Sequence, residues 1–242
     1  VQIMNIHTEI DTTAALRTDL AAAFRLCHQF GWSESVGNHF SAAVSEDGRQ
    51  FLLNPCWQHF ATINPDDLLL LDVDDDQTML GDNAPDPSAW AVHGTLHREI
   101  PAARVILHCH SPYATALASL KDPTLLPIDN NTARFWDRVG YDLRFGGISD
   151  SAAEGAHLAQ AMGKNTVLVM RNHGITVTGP TVADAFEDLY FFEKAAQTQI
   201  LALSSGRPLA VLSDEVAKAT AEGWKSYRGM ARRHFEYLKS TL

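Results

Sequence analysis

The chain has 242 residues, 45% of them hydrophobic and 20% charged, with a formal net charge of -10. That length suits a single domain over residues 1–242 with a full buried core, and 29 acidic against 19 basic residues argues against a nucleic-acid surface. No apolar run is long enough to span a bilayer, the start Val1-Gln2-Ile3-Met4 lacks the form of a signal peptide, and Cys27, Cys56 and Cys109 fit neither a disulfide framework nor a CxxC zinc site, so a cytoplasmic protein is expected.

Leu16, Leu20, Ala23, Phe24 and Cys27 recur at helical spacing, predicting a helix from Thr8 to Phe30 that Gly31 closes. Strands follow at His39–Ser45, Phe51–Leu53 and Leu68–Val73, separated by the turn signals Glu46-Asp47-Gly48 and Asn64-Pro65-Asp66. A helix runs from Pro87 through Ile100 with Ser88 as its N-cap, and Val105–Cys109 is a buried strand. Ser111-Pro112 opens the next helix, proline taking its favoured first-turn place. Residues Lys121–Phe145 are loop-rich with a strand at Tyr141–Phe145, and a helix covers Ser151–Met162 up to Gly163. Thr166–Met170 and Ile175–Thr178 form a hairpin, Thr181–Ser204 a long helix, and Asp214–Leu238 another. Several strand connections are short, so the sheet of this α/β chain should be mixed or antiparallel.

The chemistry concentrates in histidine. His108 and His110, one residue apart on a strand, project to the same face, and a third imidazole, His173 of Asn172-His173-Gly174, lies at a distant strand end. Three such nitrogens make a facial metal site with open positions for a substrate oxygen. Each histidine alone is more often an ordinary core residue bonded to backbone, but two imidazoles on one buried face are costly without a cation or a network to orient them. Gly174 permits a tight turn beside His173. His93 and His97 share a helix face, yet Gly94 follows the first, so no HExxH zinc pattern exists. Nor is there a GxSxG elbow, a GxGxxG loop or a Walker loop.

In this order the segments Gly37-Asn38-His39-Phe40-Ser41, Leu53-Asn54-Pro55, Trp90-Ala91-Val92-His93, Val105–Tyr113, Leu168–Gly179 and Ala185–Gln199 resemble the class II aldolase/adducin family over nearly the whole chain. The resemblance implies a three-layer α/β/α domain with a central mixed, largely antiparallel sheet, usually assembled as a homotetramer with sites between subunits. It also implies a divalent metal, commonly zinc with Fe(II) or Mn as options, on His108, His110 and His173. Sugar-phosphate aldolases of the family carry an acidic residue four positions before the helix histidine, where this chain has Ala89, and a methyl group moves no proton. They cradle phosphate with Ser-Gly where this chain reads Cys56-Trp57, and Trp57 obstructs a backbone nest. A sugar phosphate is therefore disfavoured.

Within the family, the members lacking that acid include decarboxylases of hydroxylated aromatic carboxylates and iron-dependent oxygenases of aryl-pyruvates. The expectation is a metal-dependent lyase that cleaves a carbon–carbon bond of a small, non-phosphorylated hydroxy- or keto-carboxylate. An Fe(II) oxygenase and a non-catalytic, adducin-like assembly module are the alternatives. His93 is the candidate proton donor, together with Tyr237 reaching from a neighbouring subunit. Asn38, Trp57, Arg134 and Arg171 (with Arg138 a further option) are the candidate substrate contacts.

Overall fold

Side-chain alternation along the strands sends buried residues to both faces of one sheet. A computed structural model describes residues 2–75, 77–81, 84–147, 151–227 and 229–242, the side chains of residues 2–12 and 152 excepted. Its described strands are β1 (His39–Ala43), β2 (Gln50–Leu53), β3 (Leu69–Asp72), β4 (Val105–Cys109), β5 (Val139–Asp142), β6 (Val167–Met170) and β7 (Gly174–Gly179). They form one sheet in the order β3-β2-β1-β4-β7-β6-β5. Every neighbouring pair is antiparallel except β5 with β6, so the sheet is mixed and largely antiparallel, as expected.

On β4, Val105, Leu107 and Cys109 enter the larger core. That core is covered by α1 (Gln2–Gln29), α3 (Pro112–Ala118), α6 (Val182–Ser204) and α8 (Met230–Lys239). Ile106 points the other way, into a smaller core built with Val92 and Leu96 of α2 (Pro87–Glu99) and Leu158 and Met162 of α5 (Ala152–Met162). The result is the three-layer α/β/α arrangement. Two short helices, α4 (Asn130–Ala133) and α7 (Asp214–Trp224), complete the described set.

Four expectations need correction. The helix predicted over Asp214–Leu238 is two helices: α7 stops at Trp224, and α8 starts after Gly229, which sits at φ 77°. The N-cap of α2 is Asp86 and not Ser88: Asp86 accepts from the backbone N–H of Ser88 (2.9 Å) and Ala89 (3.2 Å). The strand expected at Tyr141–Phe145 is β5, shifted toward the N-terminus, and Leu143 and Phe145 lie exposed beyond it. The first helix begins near Gln2 and not at Thr8.

Candidate metal centre

Register brings the centre together. Across three adjacent strands, His39 of β1 pairs with His108 of β4, and His108 with Thr176 of β7. By alternation all three project to the face covered by α2 and α5. The polypeptide then leaves β4 through His110, and the turn Asn172-His173 swings the third imidazole over the same strand end; Asn172 adopts φ 54° to make that turn. Ligand atoms of His108, His110 and His173 lie within 4.8 Å of one another. Their ring centroids are 5.2, 4.9 and 4.7 Å apart for the pairs 108–110, 108–173 and 110–173.

The donor set fits a divalent cation. His110 Nδ1 donates to Glu34 Oε2 at 2.5 Å, and its Nε2 is buried without a hydrogen-bond partner. Thr176 Oγ1 donates to Met170 Sδ (3.4 Å) and so accepts from His108 Nδ1 (3.2 Å), which leaves His108 Nε2 unprotonated. Partners on Nδ1 that turn Nε2 toward a shared point are the usual support of an imidazole metal site. Burial, followed by the neighbouring imidazoles, pushes the His108 pKa well below its ordinary value, and burial brings that of His173 down to about 4. Both are therefore neutral at pH 7, the form that ligates.

Gly174 acts differently from expectation. It needs no unusual turn; rather, a Cβ there would lie 2.6 Å from Cys109 O and 2.7 Å from His110 Cδ2. Its hydrogen lets β7 press against the ligand-bearing strand end. A buried carboxylate braces the same end from the other face: Glu193 of α6 accepts from Ser111 Oγ (2.7 Å) and from the N–H groups of Tyr113 (2.8 Å) and Ala114 (2.9 Å).

The three histidines open on a cavity of about 580 Å³. Asn38, Trp57, Ala89 and Arg171 line it, as do His39, Asp86, Asp142 and Arg144. Asn38 holds φ 74°, accepts through Oδ1 from Glu34 N (3.1 Å), and keeps a buried, unpartnered Nδ2. Trp57 is 74% exposed at the rim with φ 58°, a left-handed conformation that is a genuine outlier for a bulky residue. Arg171 Nη2 donates to Lys121 O at 2.8 Å.

Other candidates sit elsewhere. Arg134 pairs with Asp188 (3.2 Å) and lies over the rings of Phe191 and Trp224, away from the cavity. Arg138 also bonds Asp188. Tyr237 is 67% exposed on α8 and is not among the residues lining the cavity, so it would serve only a neighbouring subunit's site. His93 is fully buried and does not line the cavity; His39 stands between.

Sequence reasoning named His93 and His97 but did not join them to His39. His39 stacks on His108 (centroids 4.7 Å apart), and His39 Nδ1 lies 2.8 Å from His93 Nε2. His93 Nδ1 lies 2.5 Å from Ser41 Oγ, which is 2.8 Å from His97 Nε2. Burial drives the pKa of His39 and His93 well below the ordinary imidazole value, and that of His97 to about 3. The signal was the two-residue spacing of His39 and Ser41 on a strand opposite the four-residue spacing of His93 and His97 on a helix. Glu34, Thr176 and Arg144 gave no signal, because each joins the site only through tertiary contact.

Residues 18–200 match the family described as Class II Aldolase and Adducin N-terminal domain. A class 2 aldolase-like protein of Caulobacter vibrioides is 29% identical over 223 residues, 89% of this chain and 85% of that protein. Human beta-adducin is 28% identical over 211 residues, 84% of this chain but only 29% of the adducin. The crystal structure of an aldolase II superfamily protein from Pseudomonas syringae superposes with a TM-score of 0.83 at 30% identity, covering 93% of this chain and 90% of the other.

Proposed function

Since the chain belongs to the class II aldolase and adducin family, we propose that it is a divalent-metal-dependent lyase, with zinc as the metal, that cleaves a carbon–carbon bond of a small, non-phosphorylated hydroxy- or keto-carboxylate by decarboxylation or aldol-type cleavage. The observation that carries this reading is the meeting of three imidazoles in the cavity lining, with the buried Nε2 of His110 lacking any other partner. When bound there, the metal supplies Lewis acidity for a substrate oxygen and for the negative charge left by bond cleavage. A cytoplasmic homotetramer acting on a small molecule completes the proposal.

The remaining chemistry falls to the chain's own side chains. Ala89 is 2% exposed in the cavity wall and moves no proton. Asp86 does not replace the missing acid. Burial works to raise its pKa, but bonds from Ser88 and Ala89 outweigh burial and hold it low, so it stays an ionised helix cap. His39 is the cavity-lining imidazole whose Nδ1 is held by a buried partner, which leaves its Nε2 for a substrate. A carbanion would take the proton on His39 Nε2, with a proton from cavity water returned to the same nitrogen, while the contacts of His39 Nδ1 with His93 Nε2, of His93 Nδ1 with Ser41 Oγ and of Ser41 Oγ with His97 Nε2 hold the ring in place. The proton gained from water matches the one delivered, so His39 ends neutral and no buried imidazolium has to accumulate. His93, the proton donor expected from sequence, acts here at one remove.

Two observations favour a second reading, a non-catalytic assembly role: Ala89 itself, and the match to adducin. Turnover decides between them. Zinc-loaded protein should release CO2 or a carbonyl fragment from at least one member of a panel of hydroxy- and keto-carboxylates. His39→Phe, which keeps a ring against His108, should retain the metal and lose about 100-fold or more in kcat, the usual scale for removing a general acid–base. A stoichiometrically loaded protein with no turnover across the panel favours the assembly role.

A further inference from the structure

The metal centre accounts for one end of a substrate, and the cavity wall also holds a cation it leaves unused. Arg144 follows β5 and lines the cavity. Its backbone N–H donates to Asp142 Oδ1 at 3.0 Å, and its Nε donates to His157 Nε2 at 2.9 Å. The same His157 nitrogen lies 2.9 Å from Asp142 Oδ1. Asp142, 4% exposed on β5, thus fixes the Arg144 backbone, while the imidazole of His157 on α5 accepts from the guanidinium. The Nε side of the guanidinium is thereby spent. No protein partner for Nη1 or Nη2 occurs among the described residues, which leaves the terminal edge of the fork free for a ligand.

We propose that Arg144 is the specificity-determining residue of this cavity, and that its free Nη1–Nη2 edge takes a carboxylate set apart from the group bound at the three histidines. The substrate class is thus a linear hydroxy- or keto-acid with a second, terminal carboxylate; the assignment rests on the lyase reading above. Two parallel N–H···O bonds from one guanidinium edge match a carboxylate. A phosphate dianion fits worse, because Glu34, Asp86, Asp142 and Glu154 also line the cavity and would repel the extra charge. Arg171, the other cation in the wall, donates through Nη2 to Lys121 O, so its Nη1–Nη2 edge is not free, and its buried Nε lacks a partner among the described residues.

Calorimetric titration of zinc-loaded protein with three hydroxamate probes tests this. Acetohydroxamate reports the metal alone, the monohydroxamate of succinic acid adds a terminal carboxylate, and the monohydroxamate of succinamide is its neutral counterpart. The acid should bind about tenfold tighter than the amide. Arg144→Gln should abolish that preference without changing acetohydroxamate affinity, and Arg144→Lys should restore part of it. Equal binding of acid and amide to the unaltered protein overturns the assignment while leaving the metal centre standing, as does a preference that survives Arg144→Gln. Failure of all three probes to bind overturns the metal-centre reading, and the assignment falls with it.

Discussion

At the scale of single residues, the centre depends on keeping several imidazoles neutral in a buried place. His39, His93 and His108 are held well below their ordinary pKa by burial, His97 is near 3 and His173 near 4. Below about pH 6.5 the unfolded chain binds protons at these positions that the folded metal-free chain refuses, so stability must fall with pH until the folded values are reached. Each such histidine contributes a slope of up to about 1.4 kcal/mol per pH unit. Urea unfolding of metal-stripped protein should therefore show a loss of several kcal/mol between pH 7.0 and 5.5. A flat profile would contradict the burial. Spacing made His108 and His110 readable as a pair, because strand period alone puts them on one face. It said nothing of Glu34 or Thr176, whose bonds to those rings exist only after strands far apart in sequence have paired.

Among the elements, the join between β4 and α3 bears the most strain of function. Glu193 reaches across from α6 and satisfies three donors at the start of α3, immediately after His110. Glu193→Ala should cost roughly 2–4 kcal/mol, since it strands buried donors and removes a helix cap at once. Chemical denaturation measures it, and a cost within error of zero would mean water replaces the carboxylate. Gly174→Ala introduces a Cβ into space held by Cys109 O and the His110 ring. Its expected effect is weaker metal retention with most of the fold intact, read as a metal-to-chain ratio beside an unfolding curve. Element boundaries followed local signals where those were strong: Pro112 opens α3 and Thr181 caps α6, its side chain accepting from Asp184 N at 3.1 Å. They failed where two signals competed. Asp86 and Ser88 both suit an N-cap, and Asp86 takes the role because the proline between them occupies the first helical turn. The long C-terminal helix was overextended because its apolar periodicity runs on past Trp224, where α7 stops, to α8, which starts afresh after the left-handed Gly229.

For the whole molecule, the layer order came from alternating strands and amphipathic helices, and those are local properties of sequence. The strand order β3-β2-β1-β4-β7-β6-β5 is not local, and it is what sets His39, His108 and Thr176 in one row. Several large apolar side chains stay exposed on the last three helices, among them Leu201, Leu203, Val216 and Tyr237. With the family's habit of assembly, this leads us to expect a tetramer by light scattering, and Tyr237→Ala should lower kcat only if that side chain serves a neighbouring site. If His108, His110 and His173 hold one divalent ion, the metal content of purified, desalted protein will show it. About one divalent ion per chain is predicted, retained in His93→Ala and lost in His173→Ala. A chain that keeps no stoichiometric metal, or keeps it unchanged when His108, His110 or His173 is replaced by alanine, would contradict the account.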